Sequence, residues 1–286
     1  MSADASKQSL PKLAQTTLPN GMVFACTDTR EPQFIYKEIF EDNLYLRHGV
    51  KIPKDAVVFD VGANIGMFAA YIAKIYPDAK VFSFEPLPPI YAALKANIER
   101  NMTPKVKAFN VGLSKEPSQA TFSFYPLAAG WSTMYPNDTP QYREQMKDNL
   151  KGNPDVPWYG RAALATPLLG PIVANIIVNT QLKHTDYPCT LKTLSSVLRE
   201  EGVTRVDLLK IDVERAELDV LRGIEDADWP KIAQVSAEVQ SDQNKAQLDE
   251  FVGLLKSKGF TVHVEDINVL KAKDGTSPNA SVYAVR

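Results

Sequence analysis

From Asp55 onward the chain alternates short runs of β-branched and apolar residues with longer stretches whose apolar positions recur at helical spacing. AVVFD (56–60), KVFSF (80–84) and KVKAFNV (105–111) read as strands, with helices predicted between them from Ile65 to Tyr76 and from Pro88 to Arg100. After a gap the alternation resumes with VDLLKID (206–212), a helix near Ala216 to Arg222, IAQVSAEV (232–239), a helix near Asn244 to Lys258, FTVHVE (260–265) and SVYAVR (281–286). Strands that alternate with helices in this way predict an α/β fold, a parallel sheet covered by helices. There are seven strand candidates in all.

Two regions depart from that rhythm. Residues 1–54 read as an extension: a turn at Pro19-Asn20-Gly21, a short apolar run from Met22 to Cys26, then Glu31 to His48, where Phe34, Ile35, Ile39, Tyr45 and Leu46 fall near helical spacing. That spacing predicts one amphipathic helix packed on the domain that follows, residues 55–286. Between about 124 and 188 the regularity fails, and eight of the chain's 20 prolines fall there. A stretch this long without pattern is expected to be an irregular lid or binding element. Within it, Ala162 to Leu182 carries no formal charge over 21 residues. Pro167, Gly170, Pro171, Asn175 and Asn179 interrupt it, so a segment buried in the protein or lining a cleft is expected rather than a membrane span.

Composition narrows the function. In 286 residues, 32 Lys and Arg stand against 34 Asp and Glu, a formal charge of −2 with no basic stripe, which argues against binding driven by nucleic-acid phosphates. Cys26 and Cys189 are far apart, so neither a disulfide framework nor a zinc site is indicated and a reducing, cytoplasmic setting is expected. The first ten residues lack an apolar signal region. No internal repeat or low-complexity tract is present.

The sharpest local signal is Phe59-Asp60-Val61-Gly62-Ala63-Asn64-Ile65-Gly66, a buried strand that ends in a carboxylate and turns through two glycines into a helix. The glycine triplet of a dinucleotide site is absent, which disfavours NAD or FAD. Nineteen residues beyond Gly66, Glu85 in FSFEP stands at the carboxyl end of the next strand, where a carboxylate can accept two hydrogen bonds from a ribose diol. Lys210 and Asp212 are two apart on a strand and so share a face at the sheet's carboxyl edge. They could simply pair with each other, just as Glu214 and Glu217 could be ordinary acids of a first helical turn.

VFDVGANIGMFAAYIA together with FSFEP resembles the class I S-adenosylmethionine-dependent methyltransferases, and LLKIDVERAELDVLRGI resembles the second signature of the FkbM-type family. The resemblance implies a Rossmann-like sheet of seven strands with the last antiparallel, and S-adenosylmethionine as cofactor. By position, Asp60, Gly62, Asn64 and Gly66 would surround its methionine part, Glu85 the ribose, and Gly112, Leu113 and Ser114 the adenine side, with Pro86 also in the cofactor site. Glu38 and Tyr45 of the extension, and Ser132 beside Trp131 and Thr133 of the insert, would close over it, with Asp212 also within reach. Two departures stand out: the family usually has glycine where this chain has Arg215, and often E-x-H where it has Glu238-Val239-Gln240.

The implied reaction is O-methylation of a hydroxyl on a small or medium natural product such as a polyketide, peptide or sugar derivative, free or tethered to a carrier. N- or carboxyl-methylation, and a catalytically silent cofactor-binding module, are the alternatives. Methyl transfer needs an aligned nucleophile and, for an alcohol, a proton acceptor, so Asp212, Lys210 and Glu238 are the candidate catalytic residues. Asp212 and Glu238 could share a Mg²⁺ ion, but no third ligand can be named and a metal-free site is preferred. His48, His184 and His263 have no ligand spacing. The apolar residues Leu168, Leu169, Ile172, Val173, Ile176 and Ile177 are expected to cover a hydrophobic acceptor or, as second choice, to pack on another subunit of a homodimer.

Overall fold

The computed structural model describes residues 10–102, 104–127, 129–136, 138–152, 158–240, 245–267 and 279–286. A hairpin of β1 (Ala14–Thr17) and β2 (Val23–Cys26) leads into α1 (Glu31–Tyr36). The sheet domain begins with β3 (Val57–Val61), α2 (Met67–Ile75), β4 (Lys80–Phe84), α3 (Pro88–Asn101) and β5 (Val106–Phe109). The short β6 (Gly112–Leu113) and β7 (Ser118–Phe124) precede α4 (Pro140–Gly152), α5 (Trp158–Leu164), α6 (Gly170–Gln181) and β8 (Thr185–Lys192). The chain closes with α7 (Leu194–Glu200), β9 (Leu208–Ile211), α8 (Glu217–Arg222), β10 (Gln234–Gln240), α9 (Ala246–Ser257), β11 (Thr261–Ile267) and β12 (Asn279–Val285).

The seven strands predicted from the sequence form one sheet in the order β11-β12-β10-β9-β3-β4-β5. β10, β9, β3, β4 and β5 run parallel, whereas β12 pairs antiparallel with both β10 and β11, as the family resemblance implies. Both faces are covered, which is why the central strands read as nearly unbroken apolar runs. Val58 and Leu208 point into a core with α2, α3 and the N-terminal hairpin, while Phe59, Val61, Leu209 and Ile211 point into a second core with α7, α8 and α9. Asn97 of α3 ties the hairpin down: its carbonyl accepts from Ala25 N–H at 2.6 Å, and its amide donates to the carbonyls of Ala25 and Ile65, both at 2.9 Å.

The single helix expected from Glu31 to His48 is not formed. After α1 the chain makes a π-helical turn from Lys37 to Glu41, and the helix stops before Asn43, whose φ is +51°. Asparagine tolerates that left-handed conformation, and it breaks the helical spacing. Phe34 is consequently 61% exposed, while Tyr45 folds inward and is buried.

The insert is also more regular than its sequence suggests. β8 pairs parallel with β6 and antiparallel with β7, and α4, α5 and α6 share a small core of Tyr125, Met146, Leu150, Leu164, Ala174, Val178 and Leu182. Its prolines punctuate helices rather than prevent them: Pro140 opens α4, and Pro171 lies in the first turn of α6. Among the described residues, no helix is long and apolar enough to cross a membrane.

Candidate active site

The chain runs β3, β4, β5 outward on one side, then returns through the insert to lay β9 on the other side of β3. The carboxyl ends of β3 and β9 therefore flank the point where strand order reverses, the place where open α/β sheets bind ligands. Asp60 and Lys210 are register partners on these two strands. The Lys210 ammonium lies 3.2 Å from Asp60 Oδ1 and 3.6 Å from Asp212 Oδ2, and it donates to the carbonyl of Gly62 at 2.9 Å. Burial works against its charge, yet the flanking aspartates hold its pKa above the usual lysine value.

The glycine turn follows at once. Gly62 has φ of +76°, and a Cβ there would come within 1.7 Å of the Asp212 carbonyl oxygen, so only glycine lets the ends of β3 and β9 approach this closely. Asn64 (φ +49°) and Gly66 (φ +87°) complete the turn, and a Cβ at Gly66 would strike Leu94 at 2.6 Å. Glu85 is buried beside it, accepting from Asn64 N–H at 3.1 Å and Leu87 N–H at 3.0 Å. Loss of water pushes its carboxyl up to about 7 against the pull of these two donors.

Tyr45 enters from the extension and donates to Asp212 Oδ2 at 2.8 Å, its ring 5.1 Å from the Lys210 ammonium. Burial and the Asp212 charge raise its phenol well above the usual value. Glu238, at the end of β10, accepts from the Asn279 amide at 3.0 Å and is pushed up to about 8 by burial, with Asp212 and Glu38 adding repulsion. Glu38 keeps solvent contact and is raised by partial burial and by the charge of Asp212. Tyr45, Lys210 and Asp212 thus meet by direct contact, and Glu38 and Glu238 join them through their charges.

The remaining candidates are spread more widely. Pro86 and Gly112 are neighbours, a Cβ at Gly112 falling 3.5 Å from the Pro86 ring. Leu113 lies in the core under α7 to α9, and Ser114 is buried with its carbonyl against Gly223, so the structure gives these two packing contacts. Ser132 accepts from Tyr125 N–H at 3.1 Å within the insert. His48 stacks on His263 at 3.6 Å beside Glu265. Among the described residues, no three His, Cys, Asp or Glu side chains converge to hold a metal ion.

Three features were not foreseen from the sequence. Glu214, which the sequence leaves open as an ordinary helix-turn acid, accepts from the Gln240 amide, the residue standing where the family often has histidine. Glu214 and Arg215 occupy successive left-handed positions, φ +46° and +77°, which is the physical reason for a glycine preference at Arg215. The insert grips this strained loop: Thr133 donates to the Glu214 carbonyl at 2.7 Å, and Arg215 donates to the Tyr135 carbonyl at 3.2 Å. Glu31 is the third, accepting from the Asn64 amide at 3.3 Å. A glycine turn at the end of β3, an acid after the adjacent strand and a buried Asn64 Oδ1 without a donor together fit a nucleoside cofactor with a polar tail.

The sequence matches the family described as "Methyltransferase FkbM domain" over residues 60–262, from the end of β3 into β11. It is 39% identical to 31-O-demethyl-FK506 methyltransferase FkbM of Streptomyces tacrolimicus over 249 residues, covering 87% of this chain and 89% of that protein. It is 35% identical to methyltransferase 1 of Beauveria bassiana over 236 residues, covering 82% and 83%. AMB antimetabolite synthetase AmbE of Pseudomonas aeruginosa is 38% identical over 275 residues, 95% of this chain, and the chain spans only 12% of that protein's length. Among solved structures, M. jannaschii TYW2 in complex with AdoMet aligns at a TM-score of 0.44 and 12% identity, covering 97% of this chain and 88% of that one.

Proposed function

Because the chain belongs to the FkbM methyltransferase family, we propose that it transfers the methyl group of S-adenosylmethionine to a hydroxyl of a small or medium natural product. The observation that carries this reading is the Asp212 carboxylate, fixed at the strand-order reversal by donors from two different parts of the chain. The relative named for a 31-O-demethyl substrate supports an oxygen acceptor.

When bound, S-adenosylmethionine would supply a methyl group on a positively charged sulfur that leaves with the bonding electron pair as a neutral thioether. Asp212 receives the proton the acceptor hydroxyl must lose. Its Oδ2 is engaged by Tyr45 and faces Lys210, so Oδ1 is the oxygen left to face the acceptor. Lys210 stands 3.6 Å from Asp212 Oδ2 while donating to the Gly62 carbonyl, and this couples the base to the cofactor turn. Glu85 would accept from the ribose hydroxyls. The extension, which brings Tyr45, and the insert, held on the Glu214–Arg215 loop, exclude water from the transfer.

Incubation with S-adenosylmethionine labelled in its methyl group and a panel of hydroxylated metabolites tests the reading. Products that gain one labelled methyl on oxygen, seen in the carbon chemical shift, are expected. Labelling confined to nitrogen would replace the oxygen acceptor with an amine.

A further inference from the structure

Glu31 opens α1, and its carboxylate is partly buried against the glycine turn. Its hydrogen bonds come from two neutral donors, the Asn64 side-chain amide at 3.3 Å and the Gly130 N–H. Gly130 approaches so closely that a Cβ there would lie 2.6 Å from Glu31 Oε1. The neighbouring ion, Asp28, carries the same sign and is itself paired outward with Arg30 at 2.6 Å. Among the described residues, Glu31 forms no ion pair. Burial raises its carboxyl above the usual value, as expected for a charge without a counter-charge. Next to it, Asn64 Oδ1 is buried without any donor. A carboxylate without a counter-charge and an amide oxygen without a donor therefore sit together at Asn64, between Gly62 and Gly66.

A largely desolvated carboxylate without a counter-charge is costly unless a cation is brought to it. Lys210 cannot serve, because its ammonium is committed to Asp60, Asp212 and the Gly62 carbonyl. Building on the cofactor reading above, we propose that Glu31 is the counter-ion for the α-ammonium group of the cofactor's amino-acid tail. An ammonium carries one positive charge and three N–H donors, enough for Glu31 and Asn64 Oδ1 together. Glu85, at the end of β4 and already holding two backbone N–H groups, serves the ribose end instead. The two carboxylates thus divide the cofactor between them.

The test is a thermodynamic cycle. S-adenosylhomocysteine and its analogue with hydrogen in place of the amino group are titrated calorimetrically into the wild-type protein and Glu31→Gln, which keeps the side chain's shape. Wild type should bind S-adenosylhomocysteine about 10- to 100-fold more tightly than the analogue, the range expected for a charge-assisted hydrogen bond. Glu31→Gln should lose that same factor for S-adenosylhomocysteine and bind the analogue as wild type does. Equal losses for both ligands would make Glu31 a purely structural contact, and no loss for either would remove it from the site; each outcome overturns the proposal. The wild-type comparison stands without any variant, so poor folding of Glu31→Gln does not rescue the idea. Wild type that binds neither ligand would overturn the cofactor reading as well, and that result is distinct from all the others.

Discussion

Tyr45 and Asp212, 167 residues apart in sequence, are joined by a 2.8 Å hydrogen bond from the phenol to Oδ2. The bond links the N-terminal extension to the strand-end acid of the second signature, and it makes the extension part of the candidate site. Tyr45→Phe should keep the ring's edge contact with Phe68, at 5.4 Å between centroids, and so keep the fold. It should lower kcat about 10- to 100-fold, since a hydrogen bond to a charged group is worth about 1.5–3 kcal/mol, while leaving the KM for cofactor near wild type. Steady-state kinetics check this; a rise in cofactor KM with kcat unchanged would place Tyr45 in binding alone.

Asp212→Asn should preserve shape and cofactor affinity while cutting turnover about 10²- to 10⁴-fold, the usual contribution of a general base. The assay is repeated after chelation. Activity that survives chelator confirms proton transfer without metal, whereas loss restored by Mg²⁺ would put an ion between Asp212 and Glu238.

Gly62→Ala should be severe. The added methyl would meet the Asp212 carbonyl oxygen at 1.7 Å, backbone against backbone, at a φ that disfavours alanine. A loss of at least about 2–3 kcal/mol of stability is expected, with cofactor binding abolished. Thermal unfolding with calorimetry measures both.

The raised pKa of Glu238 predicts a pH effect on stability. Its carboxyl titrates at about 8 in the folded chain against an ordinary value of 4.5, so between those pH values the folded state binds the extra proton. Stability from this group is present below about pH 4.5 and is lost as pH rises towards 8. Glu238→Gln should therefore flatten the fall in Tm between pH 5 and 8 and be more stable than wild type at pH 8.5. Parallel Tm curves for the two proteins would contradict the shift.

The insert allows a paired comparison. Leu168 is 84% exposed, and Leu169, Ile172 and Ile176 also stand outward, whereas Val178 is fully buried in the insert's own core. Ile176→Asp should leave the free energy of unfolding unchanged within about 0.5 kcal/mol. Val178→Asp should open the insert to limited proteolysis while the seven-stranded sheet stays protected. Equal protease resistance of both variants would show that the helices do not depend on that core.

Much of the fold was legible because its central strands are buried on both faces and so carry unbroken apolar runs. Asp60, Glu85, Lys210 and Asp212 were legible because each terminates such a strand. β8 was hidden by Pro188 within it, and α4 to α6 by prolines that mark helix starts as well as loops. The contacts of Glu31 with Asn64, and of Gln240 with Glu214, span 33 and 26 residues and join different elements, so no local spacing announces them. Arg215 was visible only as a departure; its φ of +77° supplies the reason.

The central claim is that the crevice at the ends of β3, β4 and β9 holds the cofactor. Calorimetric titration of S-adenosylhomocysteine into wild type and Glu85→Ala tests it most directly. The account predicts one molecule bound per wild-type chain and an affinity about 10- to 100-fold weaker in Glu85→Ala. Absence of binding by folded wild type, or equal affinity in the two proteins, would contradict it.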